Sequence, residues 1–278
     1  MGREFLTVYW REMIRFVRFK GLLFASLIQP ALWLLLFGVA MASNFDSSAI
    51  PLPQYPGVRS IDYLTFMAAG VMAMTALFTG LFGGIGLLFD KNFGIMKEML
   101  ASPMEAHHIQ IGVGLGGITK ALIQVGLIMV FGLLLGVAFF PGFSVLEVLV
   151  AVLGIFAFVA VFSVGFVFLS AGLAMRVESM ESVQAMMTLL TMPIMFSSNA
   201  LYSTAAFPSW LQAIALVNPL TYFVNGIRYF ALGGDFAALG THYQYVGTDI
   251  LAAFGALSVF ALLAFLFAWL SFRSARTR

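Results

Sequence analysis

Few residues of this sequence have the types and spacings that carry enzyme chemistry. A nucleotide-binding P-loop needs a lysine directly after a glycine, and no lysine of the sequence follows a glycine. Neither the G-x-S-x-G elbow of serine hydrolases nor the H-E-x-x-H pattern of metalloproteases occurs. His107 and His108 are adjacent and point in different directions, which does not suit ligation of one metal ion. We therefore predict no catalytic residue, no metal site and no cofactor held by this chain itself.

Titratable residues within the apolar segments are the usual mark of ion-coupled transport. Glu147 is one candidate, but it follows Ser144 by three residues, which is the spacing of a capping box at the start of a helix. Lys120 is another, and it lies near enough to the end of its segment to snorkel to the membrane surface. We expect structural roles for both, and the scarcity of buried acids argues against a proton-coupled carrier.

The composition places these residues in a lipid bilayer. Of 278 residues, 62% are hydrophobic and 9% are charged, and the mean hydropathy is +1.01. Soluble domains carry roughly 25% charged residues, so a cytosolic enzyme is excluded. With no cysteine, the chain cannot be a disulfide scaffold, and a net charge of +2 does not suggest nucleic-acid binding.

Long windows without charge predict an all-α polytopic membrane protein forming one domain over 1–278. A spanning helix needs about 20 apolar residues, and its backbone must be hydrogen-bonded within the segment. The six predicted spans are 21–45, 63–89, 109–140, 145–175, 183–202 and 250–272.

Lysine and arginine residues predict the orientation of these spans. With six spans, eleven basic residues lie on one side of the membrane, and Arg59 and Arg228 lie on the other. This asymmetry predicts that both termini are cytoplasmic.

The N-terminal segment 1–20 has the pattern of an amphipathic elbow helix at the membrane surface. Arg11, Arg15 and Arg18 recur at helical spacing, and apolar residues fall between them. The same charges are equally compatible with a simple cytoplasmic flank of the first span.

Residues 207–233 predict a re-entrant helical hairpin between spans 5 and 6. Asn218 and Pro219 form a helix start, and the helix that follows has about 14 residues, or ~21 Å, too short to cross ~30 Å of hydrocarbon. Asn225 and Arg228 lie on its polar face with Thr221, and we expect Arg228 to meet water, a partner or a carbonyl. The alternative is one over-long helix with a snorkelling arginine.

A short two-faced helix is predicted in the loop 90–104, where the sequence from Phe89 reads FDKNFGIMKEMLASPM. Gly94 opens this helix and Pro103 closes it, with Lys97 and Glu98 on its polar face. Too short to be stable alone, it would dock either in a groove of a soluble partner or on the lipid interface.

This loop resembles the first cytoplasmic loop of ABC-2-type transporter permeases, in particular the daunorubicin-resistance and nodulation-type exporters. Lys91 stands in place of the usual arginine and Asn92 in place of an acidic residue. The run Asn218-Pro219-Leu220-Thr221-Tyr222 with Arg228 is similar to the family's NPLTY…R. Together with the topology, these matches extend over the whole chain.

The resemblance implies an export permease that works as a dimer, with two copies of a separate ABC ATPase that binds ATP and Mg²⁺.

 The second permease copy is expected to be identical to this chain, and the two copies are expected to bind two ATPase subunits. On this pattern the segment 94–102 is the coupling helix, and the hairpin caps the pathway on the outer side. The residues expected to serve ATPase coupling are Asp90, Gly94, Lys97, Glu98, Leu100 and Pro103. Those of the outer hairpin are Asn218, Pro219, Tyr222, Asn225 and Arg228.

The resemblance also implies a pathway along spans 1, 2 and 5, and spans 2 and 5 are rich in adaptable apolar side chains. Such a wall suits a hydrophobic or amphipathic small molecule, and membrane lipid surrounds the rest of the protein. The candidate pathway residues are Phe66, Met67, Met74, Phe78, Met187, Met195, Phe196 and Asn199. The expected location is the plasma membrane of a prokaryote.

Two rival functions stay open at this point. An ion-coupled secondary carrier predicts an inverted repeat and an ionisable site at mid-membrane, and neither is evident in the sequence. A membrane anchor without transport activity would instead use the loop 90–104 only to hold a cytosolic partner.

Overall fold

The computed structural model describes residues 4–45, 55–102, 104 and 106–276, and these are mostly helical. Two strands form a small hairpin, β1 (Asp235–Ala238) and β2 (Thr241–Gln244). The helices are α1 (Glu4–Arg18), α2 (Lys20–Leu32), α3 (Val39–Phe45), α4 (Tyr63–Gly83), α5 (Ile85–Asn92), α6 (Ile95–Ala101), α7 (Ala106–Leu134), α8 (Val145–Arg176), α9 (Met180–Phe196), α10 (Ser209–Val217), α11 (Pro219–Leu232) and α12 (Gly247–Arg276).

Among the described residues, four helical segments are long and apolar enough to cross a membrane, which confirms a multi-pass membrane fold. They are Tyr63–Asn92, His107–Leu134, Val145–Arg176 and Gly247–Ser274. Two further predicted spans contain a π-helical segment in one case and a short helix in the other. A π-helical segment, Trp33–Gly38, joins α2 to α3, and α9 has 17 residues, or about 26 Å.

Helix α4 lies at the centre of the fold and is buried along most of its length. It packs against α7, α8 and α11, and more sparsely against α2 and α9. Helix α12 packs along α8, where phenylalanines face glycines: Phe260 lies over Gly165 and Phe267 over Gly172. Small residues let membrane helices approach closely, and this packing leaves the outward faces of the bundle apolar.

The second predicted span is broken at Gly84, between α4 and α5. The hydroxyl of Ser170 on α8 accepts a hydrogen bond from the Gly84 amide at 3.0 Å and donates one to the Gly80 carbonyl at 2.9 Å. A Cβ at Gly84 would lie within 2.7 Å of Ser170 atoms. The break is therefore stabilised by α8, a contact that no local pattern in the sequence reveals.

Two predicted span ends fall too late in the chain. Helix α7 ends at Leu134 rather than at residue 140, because Gly136 (φ 91°) and Phe140 (φ 57°) have left-handed backbone conformations. Helix α9 ends at Phe196 rather than at residue 202, where the Ser198 hydroxyl bonds to the Met195 carbonyl instead of continuing the helix. Only a 3-10 turn, Thr204–Ala206, precedes the next α-helix at Ser209, so a single over-long helix is excluded.

The β-hairpin was not predicted from the sequence. Its turn is Leu239-Gly240, with φ values of 53° and 68°, as a tight two-residue hairpin turn requires. Strand β1 also bonds to the segment before α4, from the Ala237 amide to the Arg59 carbonyl at 2.8 Å. The strands are only four residues long, so their alternation is too brief to distinguish from a loop.

Candidate coupling site and outer closure

A buried carboxylate connects the last turn of α5, just before the loop to α6, to the N-terminal helix α1. Asp90 is 0% exposed, and its two oxygens accept hydrogen bonds from Arg11 at 2.5 Å and Arg15 at 2.9 Å. Two of the three arginines of the predicted basic stripe thus face an internal acid. Asp90 was expected among the coupling residues, and the structure places it behind the loop, where it positions the loop against α1.

A second ion pair connects the same helix to α7. Glu12 on α1 accepts a hydrogen bond from Lys120 at 2.7 Å, and Arg15 lies 3.7 Å from its carboxylate. Burial by itself raises the pKa of Glu12, but attraction to Lys120 and the arginines outweighs it and lowers the pKa below its ordinary value. Lys120 is therefore held by a carboxylate rather than extended freely to the membrane surface.

Helix α6 carries the predicted polar face on its accessible side. Gly94 precedes it with φ 79°, a left-handed conformation that favours glycine. Met96 is buried, whereas Lys97 and Glu98 are exposed. Pro103 and the side chain of Leu100 lie outside the described residues.

The loop before α6 is also fixed on its other side. Lys91 donates hydrogen bonds to the carbonyls of Met175 and Val177, at 3.2 and 3.0 Å, where α8 ends. A cation at this position suits the negative end of a helix dipole. The adjacent residues Asp90 and Lys91 therefore connect the last turn of α5 to α1 and to α8.

Two aromatic residues beside this loop are exposed. Phe93 is 74% exposed, and its ring stacks on that of Phe89 at a centroid distance of 5.9 Å. With the exposed Lys97 and Glu98, they give the surface around α6 a mixed apolar and charged character. A protein surface of this composition can bind a partner with both hydrophobic and ionic contacts.

The predicted outer hairpin consists of α10 and α11, joined at Asn218-Pro219 as expected. The Asn218 side chain caps α11 by accepting from the Leu220 amide at 2.9 Å. Its amide group also donates to the Ile194 carbonyl at 2.7 Å and to Ser197 at 2.9 Å. One side chain therefore satisfies the start of α11 and the end of α9.

Within the hairpin, two more of the predicted residues make specific hydrogen bonds. Tyr222 donates its hydroxyl to the Leu216 carbonyl of α10 at 2.5 Å. Asn225 accepts from the Asn199 side chain at 2.6 Å and from the Tyr245 hydroxyl at 3.2 Å. These contacts fasten α11 to α10 and to the segment after α9.

Arg228 is fully buried and meets carbonyl oxygens, one of the three surroundings expected for it. Its guanidinium donates to the carbonyls of Asn199 at 2.8 Å and Ala200 at 3.3 Å. The Phe66 ring centroid lies 3.6 Å from the guanidinium carbon, a cation–π contact. Arg228 thus holds α11, α4 and the segment after α9 together.

Most of the predicted pathway residues are packed inside the protein. Phe66, Met67, Met74, Met187 and Met195 are almost completely buried. Asn199 is also buried, Phe78 is half-buried and Phe196 is 43% exposed. Contact of these residues with a substrate stays a prediction, and Phe196 is the one that is accessible in this conformation.

Sequence reasoning missed three residues that shape these sites: Glu12, Lys91 and Gln124. Glu12 lies three residues before Arg15 of the elbow stripe, a helical spacing that could have marked it as an ion-pair partner. Gln124 is a glutamine inside a predicted span, and an intramembrane polar residue is expected to have a hydrogen-bond partner. Nothing local indicates that Lys91 caps α8.

The model of the ABC-2 type transporter family matches residues 3–232. A relative named "Putative transport permease ycf38" from Cyanophora paradoxa is 30% identical over 223 residues, which cover 80% of this chain and 72% of the relative. Its namesake from Porphyra purpurea is 29% identical, with the same coverage. The "Daunorubicin resistance ABC transporter permease protein DrrB1" of Streptomyces coeruleorubidus is 26% identical, covering 78% of this chain and 71% of the relative.

Proposed function

This chain belongs to the ABC-2 type transporter family, and from that premise we propose that it is the permease of an ATP-driven exporter. It would form the pathway for a hydrophobic or amphipathic compound, with ATP and Mg²⁺ bound by a separately encoded ATPase. Proteins of this family generally act with an ABC ATPase and dimerise. Two permease copies and two ATPase subunits are the proposed assembly.

The ATPase is proposed to dock on α6, the coupling helix. Support comes from the exposed Lys97 and Glu98 on a helix that is fastened from behind. The Arg11 guanidinium lies 3.3 Å from the Met99 sulfur of α6, and Asp90 fixes the preceding loop to α1. A push on α6 would therefore reach α1 and α7 through ion pairs. This connection is the observation that carries the proposal.

The second permease copy is proposed to lie against α9 and α2. Helix α9 buries only one stripe, Val183, Met187, Thr191 and Met195, and its remaining faces are exposed. Those faces include Leu189, which is 74% exposed, and the polar Gln184. A glutamine in contact with lipid is unfavourable, so a partner helix or an aqueous pathway suits this face better than hydrocarbon.

The topology proposed is six spans, with the helix Lys20–Phe45 as the first and α9 as the fifth. Helix α1 would lie as an elbow on the cytoplasmic surface, and α10 with α11 would form the re-entrant hairpin that closes the outer side. Both termini would be cytoplasmic in the plasma membrane of a prokaryote. The concentration of lysine and arginine on one side supports this orientation.

The docking proposal is tested by charge reversal at Glu98. Full-length protein in nanodiscs is expected to bind an ABC ATPase from the same cell and to stimulate its hydrolysis of ATP. Glu98→Lys should weaken that binding by at least about ten-fold, because it places a like charge at a docking contact. Glu178→Lys, the same change at another exposed position, is the matched control and should bind normally.

Normal coupled ATPase activity in the Glu98→Lys protein would contradict the docking assignment. Transport that continues in ATP-depleted vesicles under an ion gradient would favour a secondary carrier. A bound ATPase whose activity does not respond to any hydrophobic substrate would favour a membrane anchor.

A further inference from the structure

A glutamine within the membrane joins three helices of the bundle. Gln124 on α7 is 3% exposed, and its side-chain nitrogen donates to the Ser26 hydroxyl of α2 at 2.6 Å. Its side-chain oxygen accepts from the Thr79 hydroxyl of α4. Gln124 lies about one helical turn deeper in the membrane than Lys120. Both ends of the amide are thus hydrogen-bonded, each to a different helix.

In the cytoplasmic half of α2, the described side chains include two large apolar ones that are exposed. Phe24 and Ile28 are 59% and 52% exposed, and they cannot contribute much packing within this chain. The outer part is held more firmly, since Leu34 is completely buried. Among the described side chains of this half, Ser26 makes a specific polar contact with Gln124 that helps to set the position of α2.

A point of bending lies directly beyond this contact. Pro30 has no amide hydrogen, so the carbonyl of Ser26, four residues earlier, loses its usual helical partner. The π-helical segment Trp33–Gly38 follows. Prolines and π-helical turns are the common sites where helices bend, and π-helical turns are frequent at functional positions.

Helix α2 also follows α1 after a single residue, Phe19. Helix α1 is joined to the loop before α6 through Asp90 and to α6 through Met99. A displacement of α6 would therefore pull α1 and the cytoplasmic half of α2 together. Within the span, the hydrogen bonds of Gln124 resist this displacement.

We propose that Gln124 is a positioning residue that latches the cytoplasmic half of α2 to α4 and α7. Release of the Ser26–Gln124 bond lets α2 swing about the segment from Pro30 to Gly38 when the coupling helix moves. The existence of the latch stands on geometry alone, whereas its role in transport rests on the proposed function.

The latch is tested by spin labelling, for which the absence of cysteine is convenient. A label at Phe24→Cys reports on α2, and a label at Leu262→Cys, on an exposed site of α12, serves as reference. In full-length protein in nanodiscs, Gln124→Leu should raise the ratio of mobile to immobile signal at position 24. The expected rise is about three-fold, because one interhelical hydrogen bond to α2 is lost. The signal at position 262 should not change.

Two further variants make the result specific. Ser26→Ala should raise the ratio at position 24 by about three-fold, and adding it to Gln124→Leu should give no further increase. Gln110→Leu is the matched control, because Gln110 is buried in the same helix and its amide has no hydrogen-bond partner among the described residues. It should leave position 24 unchanged.

An unchanged spectrum at position 24 in both Gln124→Leu and Ser26→Ala would overturn the latch, as would equal changes at positions 24 and 262. These spectra need no ATPase, so they are independent of the proposed function. In the assembled transporter, Gln124→Leu should alter the maximal rate of ATP hydrolysis and leave the KM for ATP unchanged. A change in KM alone would contradict the role in coupling.

Discussion

At the scale of single residues, the buried carboxylates Asp90 and Glu12 are each paired with basic residues of another helix. Asp90 is shared by Arg11 and Arg15, and Glu12 is paired with Lys120. Taking an ion out of water is costly, and the attraction of a partner repays this cost only with close geometry. These pairs therefore act mainly to specify how α1 sits against the loop and α7.

Replacing Asp90 with asparagine should destabilise the protein. The change keeps the side-chain shape but leaves two arginines without their shared anion, and loss of one partner of a buried ion pair costs about 3–5 kcal/mol. Thermal unfolding of the purified protein in detergent would measure this loss. Asp235→Asn, at an exposed acid paired with His242, is the control and should change stability by less than about 1 kcal/mol. Equal stability of the two variants would contradict the role of Asp90.

At the scale of elements, the contact among α4, α11 and the segment after α9 depends on backbones that touch directly. A Cβ at Gly70 of α4 would lie 1.9 Å from the Ala200 carbonyl oxygen. That carbonyl is also an acceptor for Arg228. The absence of a side chain at residue 70 therefore allows α4, α11 and the end of α9 to meet at one place.

Gly70→Ala should force this contact apart. Overpacking typically costs about 1–3 kcal/mol, and here the obstacle is a backbone carbonyl that cannot rotate away. The measurement is again thermal unfolding, with limited proteolysis to report on the segment after α9. Gly255→Ala on α12 is the matched control, since nothing lies within 4 Å of its Cβ position. Unfolding of both variants at the same temperature would show that the contact at Gly70 is dispensable.

At the scale of the whole molecule, a central helix is surrounded by helices whose outer surfaces suit lipid. The charged residues gather at the two ends of this bundle. Helices α1, α5 and α6 and the end of α8 are joined at one end, and the β-hairpin with α11 lies at the other. Because these two ends are connected through α2, α4 and α7, a force at the first can reach the second.

The orientation of the bundle can be measured with single cysteines. Gln244→Cys on β2 should react with a membrane-impermeant maleimide in intact cells, because the β-hairpin is expected on the outer side. Glu178→Cys, between α8 and α9, should react only after the membrane is permeabilised. Both positions are exposed, so accessibility within the protein is matched. The reverse pattern of labelling would invert the proposed topology.

Composition and local patterns were sufficient for the membrane fold and for several helix ends. The capping box of Ser144 and Glu147 and the start of α11 at Asn218-Pro219 are found as predicted. These features depend on neighbours within about four residues, so the sequence contains all that determines them.

Only the tertiary structure decided which distant groups meet. Asp90 finds arginines 79 and 75 residues away, and Gln124 finds Ser26 at a separation of 98. It also decided that the methionines of α4, together with Met187 and Met195 of α9, are core residues and that β1 pairs with β2. Apolar residues that face lipid and those that face protein have the same composition, because both surroundings exclude water. The choice between them is made by helix packing, which no local period of the sequence encodes.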